Sequence, residues 1–211
     1  MNSLIFDLDG TLVDSASSVR SALSEACNIN GIEPAMPVSE IKIGPPLDAI
    51  LRSILLHEES ARYDLLKASF VELYDKIFCT QCSLYPGAVD ALSKASVVTS
   101  LFIVTNKRII PTIKILNYFN ILQIFKGVIG SDSVTNNGLP KSASIGYLIK
   151  EYGLNDRNCM YFGDTAGDAL ACQQAGVKFV HVPWGYDGAE QIGKFNCLSM
   201  GNWGDLSDFM C

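Results

Sequence analysis

The chain has 211 residues, enough for one large domain or for a core domain that carries a smaller insert. With 48% hydrophobic and 18% charged residues it has a globular composition, not that of a disordered chain. A net charge of −6 without a basic stripe argues against a nucleic-acid partner, although a metal and a few local donors can still bind a phosphate group.

The opening MNSLIFDLDG lacks the basic start of a signal peptide, and acids interrupt its apolar run. No stretch approaches the length of a membrane span, so a cytoplasmic protein without a membrane partner is expected. The first apolar run, Ser3 to Phe6, reads as a buried strand. It ends in Asp7 and Asp9, then Gly10 and Thr11, with Asp14 close behind. Such a cluster of like charges must be solvated or bridged by something cationic. Asp14 alone reads as a turn or N-cap residue.

From Ser15 to Leu84 the pattern is helical and holds no convincing strand. Ile50, Leu51, Ile54 and Leu55 mark one apolar face; Leu65, Leu66, Ser69, Phe70 and Leu73 mark another. Tyr85-Pro86-Gly87 closes this insert. Four further short runs come after it: Ser100 to Val104, Gly127 to Ile129, Cys159 to Phe162 and Lys178 to Val182. Helical spacing separates them, with one set at Ile109, Ile113, Leu116 and Tyr118 and another at Ala143, Tyr147, Leu148 and Tyr152. The alternation predicts an α/β fold, a parallel sheet covered on both faces. The expected division is 1–14 with 85–211 as the core and 15–84 as an inserted helical unit. Seven cysteines at irregular spacing read as reduced thiols; Cys79 and Cys82 form the one close pair, without a second pair or spaced histidines to make a zinc site.

Ligands of open parallel sheets bind beyond the carboxyl ends of the strands. The residues directly after each run are therefore decisive. Asp7 and Asp9 come after the first; Thr105, Asn106 and Lys107 after the second; Gly130, Ser131 and Asp132 after the third, with Lys141 shortly beyond; Asp164 and Asp168, in GDTAGD, after the fourth. These groups suit phosphoryl transfer. Asp7 can act as the nucleophile, and Asp9 can pass a proton to the leaving oxygen and take one from water. Asp7, a backbone carbonyl near Asp9, and Asp164 can ligate Mg²⁺. Thr105, Asn106 and Lys141 can hold the phosphoryl oxygens. Asp168, four residues after Asp164, reads as sharing a helical face with it and supporting Lys141 or a metal-bound water.

At these residues the sequence resembles the haloacid dehalogenase superfamily, through DLDGT at Asp7 to Thr11, Thr105 in IVTNK, Lys141, and GDTAGD at Asp164 to Asp168. IGPPLDAIL at Ile43 to Leu51 and LYPGAVDAL at Leu84 to Leu92 are similar to its phosphoglycolate phosphatase-like branch. The resemblance implies a Rossmann-like core with a helical cap, a Mg²⁺ cofactor, an aspartyl-phosphate intermediate and, through Asp9, a phosphatase of a small phosphorylated metabolite. It departs at the third motif, where Pro140 precedes Lys141 and Ser142 comes next. A phosphomutase of the β-phosphoglucomutase type, a nucleotidase or pyrophosphatase, and a phosphonate hydrolase using Lys42 or Lys67 are the alternatives.

Several residues remain open. Lys42 and Arg52 flank the Gly44-Pro45-Pro46 loop and are candidates to touch substrate. Asp132 reads equally as turn or site. His57 is expected in solvent, and His181, Trp184 and Tyr186 in packing. The protein is expected to be a monomer or small homo-oligomer. If the helical unit moves, Asp14-Ser15 and Tyr85-Pro86 are its hinges.

Overall fold

The structure is a computed structural model that describes residues 2–135 and 138–210. Cys211, counted among the thiols, lies outside them; Cys79 and Cys82 are both free thiols. No helix of the described residues is long and apolar enough to cross a membrane.

Strand β1 (Ser3–Phe6) is buried from Leu4 onward. A two-residue strand, β2 (Val13–Asp14), comes next and leads into α1 (Ala16–Asn30). Helices α2 (Leu47–Ile54) and α3 (Tyr63–Leu73) are next in the chain, and a single π-helical turn (Tyr74–Phe78) extends α3. The chain returns through β3 (Ser83–Leu84), which pairs antiparallel with β2. Then come α4 (Ala88–Val98), β4 (Ser100–Val104), α5 (Ile109–Tyr118), β5 (Gly127–Ile129), α6 (Lys141–Glu151) and β6 (Cys159–Gly163). The chain ends through α7 (Ala166–Ala175), β7 (Lys178–His181), α8 (Ala189–Ile192) and β8 (Leu198–Ser199).

The main sheet has six parallel strands in the order β5-β4-β1-β6-β7-β8. The five apolar runs lie where the sequence places them, each within a residue. Strands β2, β3 and β8 were not expected: each is two residues long, too short for a period-two pattern to register. In register, Phe6 lies beside Ile103 of β4 and Phe162 of β6. Asp7, the residue after β1, is therefore level with Val104 and Gly163, the last residues of both neighbours. The three strands end together, and the side chains just beyond them meet.

Two helical faces differ from expectation. In α5 the buried residues are Pro111, Thr112, Ile115 and Leu116, while Tyr118 is exposed. In α6 they are Lys141, Ser144, Ile145 and Leu148; Ala143 is exposed and Tyr147 and Tyr152 lie at the surface. The i, i+3, i+4, i+7 spacing is kept, but a lysine starts the buried stripe. Bulky aromatics draw the eye to the wrong face; the true face carries Lys141 to the acids and packs Ile145 and Leu148 into the core. By contrast, α2 buries Ile50, Leu51 and Ile54, and α3 buries Leu66 and Phe70, as the spacing predicts; Leu65 is exposed.

Between β1 and β6, Phe6 stacks on Phe162 with centroids 4.9 Å apart, and Phe209 meets Phe162 edge-on. Both Phe6 and Phe162 are fully buried. Phe162→Ala is expected to lower stability by about 3–5 kcal/mol in urea unfolding, the range for emptying an aromatic core position. An unchanged midpoint contradicts that packing.

Candidate active site

Asp7 lies directly after β1, and its N–H donates to Phe162 O of β6 at 2.9 Å. Thr105 lies directly after β4, and its N–H donates to Ile129 O of β5 at 3.0 Å. Asp164 lies directly after β6. These bonds carry the sheet's ladder one residue past the strands and hold the Asp7 and Thr105 positions firmly. The turn after Asp7 needs Gly10: its φ is +79°, and a Cβ there would lie 2.2 Å from Asp164 Oδ2.

Lys141, buried at the start of α6, is the hub. Its Nζ donates to Asp7 Oδ2 at 2.9 Å and to Asp168 Oδ1 at 2.5 Å. Asp168 does not share a helical face with Asp164, which precedes α7. It is the third residue of that helix, and a capping box with Thr165 turns it inward. Its Oδ2 accepts from the Thr165 N–H (3.0 Å) and hydroxyl (2.6 Å). Asp168 thus both caps α7 and grips Lys141. Asp164 accepts from Tyr186 N–H at 2.7 Å and Thr11 Oγ1 at 3.3 Å. Asp9 has a separate partner set: Oδ1 accepts from Ser15 Oγ at 2.5 Å, and Oδ2 lies 3.0 Å from Lys107 Nζ.

Asp7 Oδ1 stands apart. It is buried and has no hydrogen-bond partner among the described residues. Buried polar atoms are nearly always satisfied, so such an oxygen marks a place for a ligand. Carboxylate oxygens of Asp7, Asp164 and Asp168 come within 4.8 Å of one another. Fully ionised, Asp7, Asp9, Asp164 and Asp168 face two ammoniums, Lys107 and Lys141. Two unit charges are left over, the charge of one divalent cation. Hard oxygen donors at this spacing fit such an ion. Asp7 and Asp164 would hold it; the oxygens of Asp168 are already committed to Lys141 and Thr165.

The electrostatics agree. Burial, and after it the charge of Asp168, raises the Asp164 pKa to about 8. Burial raises that of Asp7 to about 6 against the pull of Lys141. The charges of Asp168 and Asp7 keep the Lys141 pKa above its usual value despite burial.

A cavity of about 50 Å³ lies between Asp7, Asp9 and Thr105 on one side and Ile43, Ile50 and Phe70 on the other. That is the order of one or two waters. Thr105 lines it and accepts from Lys107 N–H at 3.2 Å. Asn106 lines it too, but its Nδ2 donates to Gly44 O at 3.0 Å, across to the loop before α2.

A family model described as haloacid dehalogenase-like hydrolase matches residues 4–182. The chain belongs to the haloacid dehalogenase-like hydrolases. It is 30% identical over 193 residues to a phosphoglycolate phosphatase of Cereibacter sphaeroides, covering 88% of this chain and 87% of that one. A phosphoglycolate phosphatase of Photorhabdus laumondii is 29% identical over 215 residues, with 98% and 91% covered. A haloacid dehalogenase-like family hydrolase of Streptococcus pneumoniae has the same fold, with a TM-score of 0.86 over 100% of this chain and 99% of that one at 20% identity.

The remaining candidates of this hydrolase fall outside the cavity. Lys42 pairs with Asp187 at 2.7 Å, Arg52 lies over the Tyr63 ring at 4.4 Å, and Lys67 pairs with Asp48 at 2.7 Å. No lysine from 15–84 lines the cavity, as Schiff-base chemistry there requires. Asp132 is a turn residue that accepts from Ile109 N–H at the start of α5 (2.7 Å), and Asp14 accepts from Ala16 N–H at the start of α1 (3.1 Å). His57 is exposed and His181 buried. Trp184 packs beside Tyr85 and Trp203. Tyr186 does more than pack: its N–H bonds Asp164, and its hydroxyl accepts from Ser15 N–H at 3.1 Å. Lys107, Ser15 and Tyr186 are site neighbours to which sequence reasoning gave no role in the site. Lys107 alone carried a signal, its place directly after Thr105-Asn106 at a strand end.

A carboxyl whose pKa is raised by folding keeps its proton in the fold at a pH where the unfolded chain has released it. The folded state then binds more protons, and stability falls with rising pH, for Asp164 between about 3.8 and about 8. In metal-free buffer the thermal midpoint of the native chain is expected to drop relative to Asp164→Asn across that window. A divalent cation is expected to restore it at pH 8. A native-minus-variant difference that stays flat contradicts the assignment.

Proposed function

We propose that the protein is a Mg²⁺-dependent phosphomonoesterase of a small phosphorylated metabolite. Phosphoglycolate, named for the relatives in Cereibacter sphaeroides and Photorhabdus laumondii, is the first compound to test. The observation that carries the reading is the unpartnered Asp7 Oδ1 beside Lys141. In this reading the Asp7 carboxylate attacks phosphorus while the ester P–O bond breaks. Asp9, which enters the step protonated, gives that proton to the departing oxygen, leaving the alcohol and a phosphorylated Asp7. Asp9 then takes a proton from water, whose oxygen displaces Asp7 from phosphorus. Inorganic phosphate leaves, and both carboxyls return to their first state.

Asp7, Asp164 and a backbone carbonyl near Asp9 would hold Mg²⁺, whose charge would offset the repulsion between Asp7 and the phosphate dianion. Lys141 adds positive charge to the transferring group, and the Thr105 hydroxyl can donate to it. Asn106 has a second amide hydrogen free of Gly44 for the same purpose. Asp168 keeps Lys141 in place through the α7 cap.

Residues 15–84 act as the cap in this reading, and 1–14 with 85–211 as the core, in a cytoplasmic enzyme. In this reading the cap lifts to admit substrate and seats to exclude water. The connections at Asp14-Ser15 and Tyr85-Pro86 are its hinges, tied to each other by the β2–β3 pair.

Free-phosphate release from a panel of small phosphomonoesters, without added sugar bisphosphate, tests the reading. Release is expected to require Mg²⁺ and to fall on the order of 10³-fold or more in Asp7→Asn, as for loss of a nucleophile. Folded native protein that releases phosphate from no ester, or an Asp7→Asn variant as active as native, overturns it.

A further inference from the structure

We propose that Lys107 is a positioning residue: its ammonium couples the seating of the helical segment on the core to the placement of the Asp9 carboxyl. The inference rests on the phosphatase reading, with Asp9 as proton donor to the leaving oxygen.

Lys107 sits three residues past the end of β4, on the core side of the cavity. Its Nζ lies 3.0 Å from Asp9 Oδ2 and donates to the Tyr74 hydroxyl at 2.8 Å. The same ammonium lies 4.6 Å from the centroid of the Tyr74 ring, a cation–π contact. Tyr74 belongs to the helical segment, at the start of the π-helical turn after α3, and its ring stacks on Phe70 at 5.4 Å. Single π turns of this kind recur at functional sites. The Lys107 side chain is 7% exposed, so this bridge is sealed from solvent.

A structural clamp would be the plainer role, but the boundary already has clamps. Asn106 Nδ2 donates to Gly44 O, Arg108 pairs with Asp75, and Lys114 Nζ donates to Asp75 O. None of these touches Asp7, Asp9, Asp164 or Asp168. The Lys107 contact joins the same two bodies and also ends on a carboxylate of the cluster. The other oxygen of Asp9 is held by Ser15, at the junction where the chain leaves the core for the helical segment. Both restraints on Asp9 thus come from the boundary between the two bodies. When the segment lifts, Lys107 loses Tyr74, and an ammonium on a flexible four-carbon stem no longer fixes Asp9. When it seats, Asp9 is locked in place and water is excluded at the same moment.

Leaving groups of different stability separate this role from a structural one. An alkoxide oxygen needs the Asp9 proton as its bond to phosphorus breaks; p-nitrophenolate leaves as a stable anion without it. For Lys107→Met, kcat/KM for glycerol phosphate is expected to fall about tenfold or more, while that for p-nitrophenyl phosphate stays within about threefold, the pattern of a weakened general acid. Asp9→Asn should give the same pattern more strongly. Tyr74→Phe, which keeps the ring and its stack on Phe70, should give it more weakly and should add nothing to Lys107→Met. Thermal unfolding verifies that each variant folds, and Tyr74→Phe carries the test if Lys107→Met does not. Equal losses on the two esters overturn the positioning role and leave the phosphatase reading standing. A native protein that releases phosphate from no ester of the panel, these two included, overturns both.

Discussion

The ammonium of Lys141 between Asp7 and Asp168 is the contact on which the rest of the site depends. Parallel strands that end level deliver carboxylates to one place, and those charges repel. At 2.9 Å and an effective dielectric constant near 20, one ammonium–carboxylate pair gains roughly 6 kcal/mol, while desolvation costs several kcal/mol per ion. One buried lysine therefore supports about one or two carboxylates, not four. Asp9 has its own cation in Lys107. The balance left around Asp7 and Asp164 is what a divalent cation would supply.

The same charge balance explains why chemically identical side chains do different work. Asp168 has donors on both oxygens, from Lys141 and Thr165, so it is a fixed support. Asp7 has a donor on one oxygen only, so the other is open to a cation. Asp164 is crowded by backbone on two sides: a Cβ on Gly10 or on Gly185 would come within 2.2 Å of it. Only glycine admits the chain so close to a carboxylate, and the short turns that result bring Tyr186 N–H to Asp164.

Much of this was legible because strand ends in a parallel sheet are predictable. Asp7, Thr105 and Asp164 each come at or just after the end of a short apolar run, and no tertiary information is needed to place them together. Asp168 was legible as a neighbour of Lys141, but its spacing points to the wrong cause. Four residues from Asp164 suggest a shared helical face, whereas the Thr165-x-x-Asp168 pattern of a capping box is the one that operates. The stripe of α6 that begins with Lys141 was hidden by Tyr147 and Tyr152, whose bulk mimics an apolar face. Strands of two residues carry no periodicity at all. Lys107, Ser15 and Tyr186 act through Asp9, Tyr74 and Asp164, and a single sequence shows Lys107 at a strand end but not the contacts it makes there.

The central claim is that the buried, unpartnered oxygen of Asp7 faces a cation it shares with Asp164. Anomalous diffraction from crystals grown with Mn²⁺ in place of Mg²⁺ tests it most directly. The account predicts one strong peak at coordination distance from Asp7 and Asp164, with Lys141 still joining Asp7 to Asp168. A peak ligated by Asp168 with Lys141 displaced, or no peak near Asp7 at saturating Mn²⁺, would contradict it.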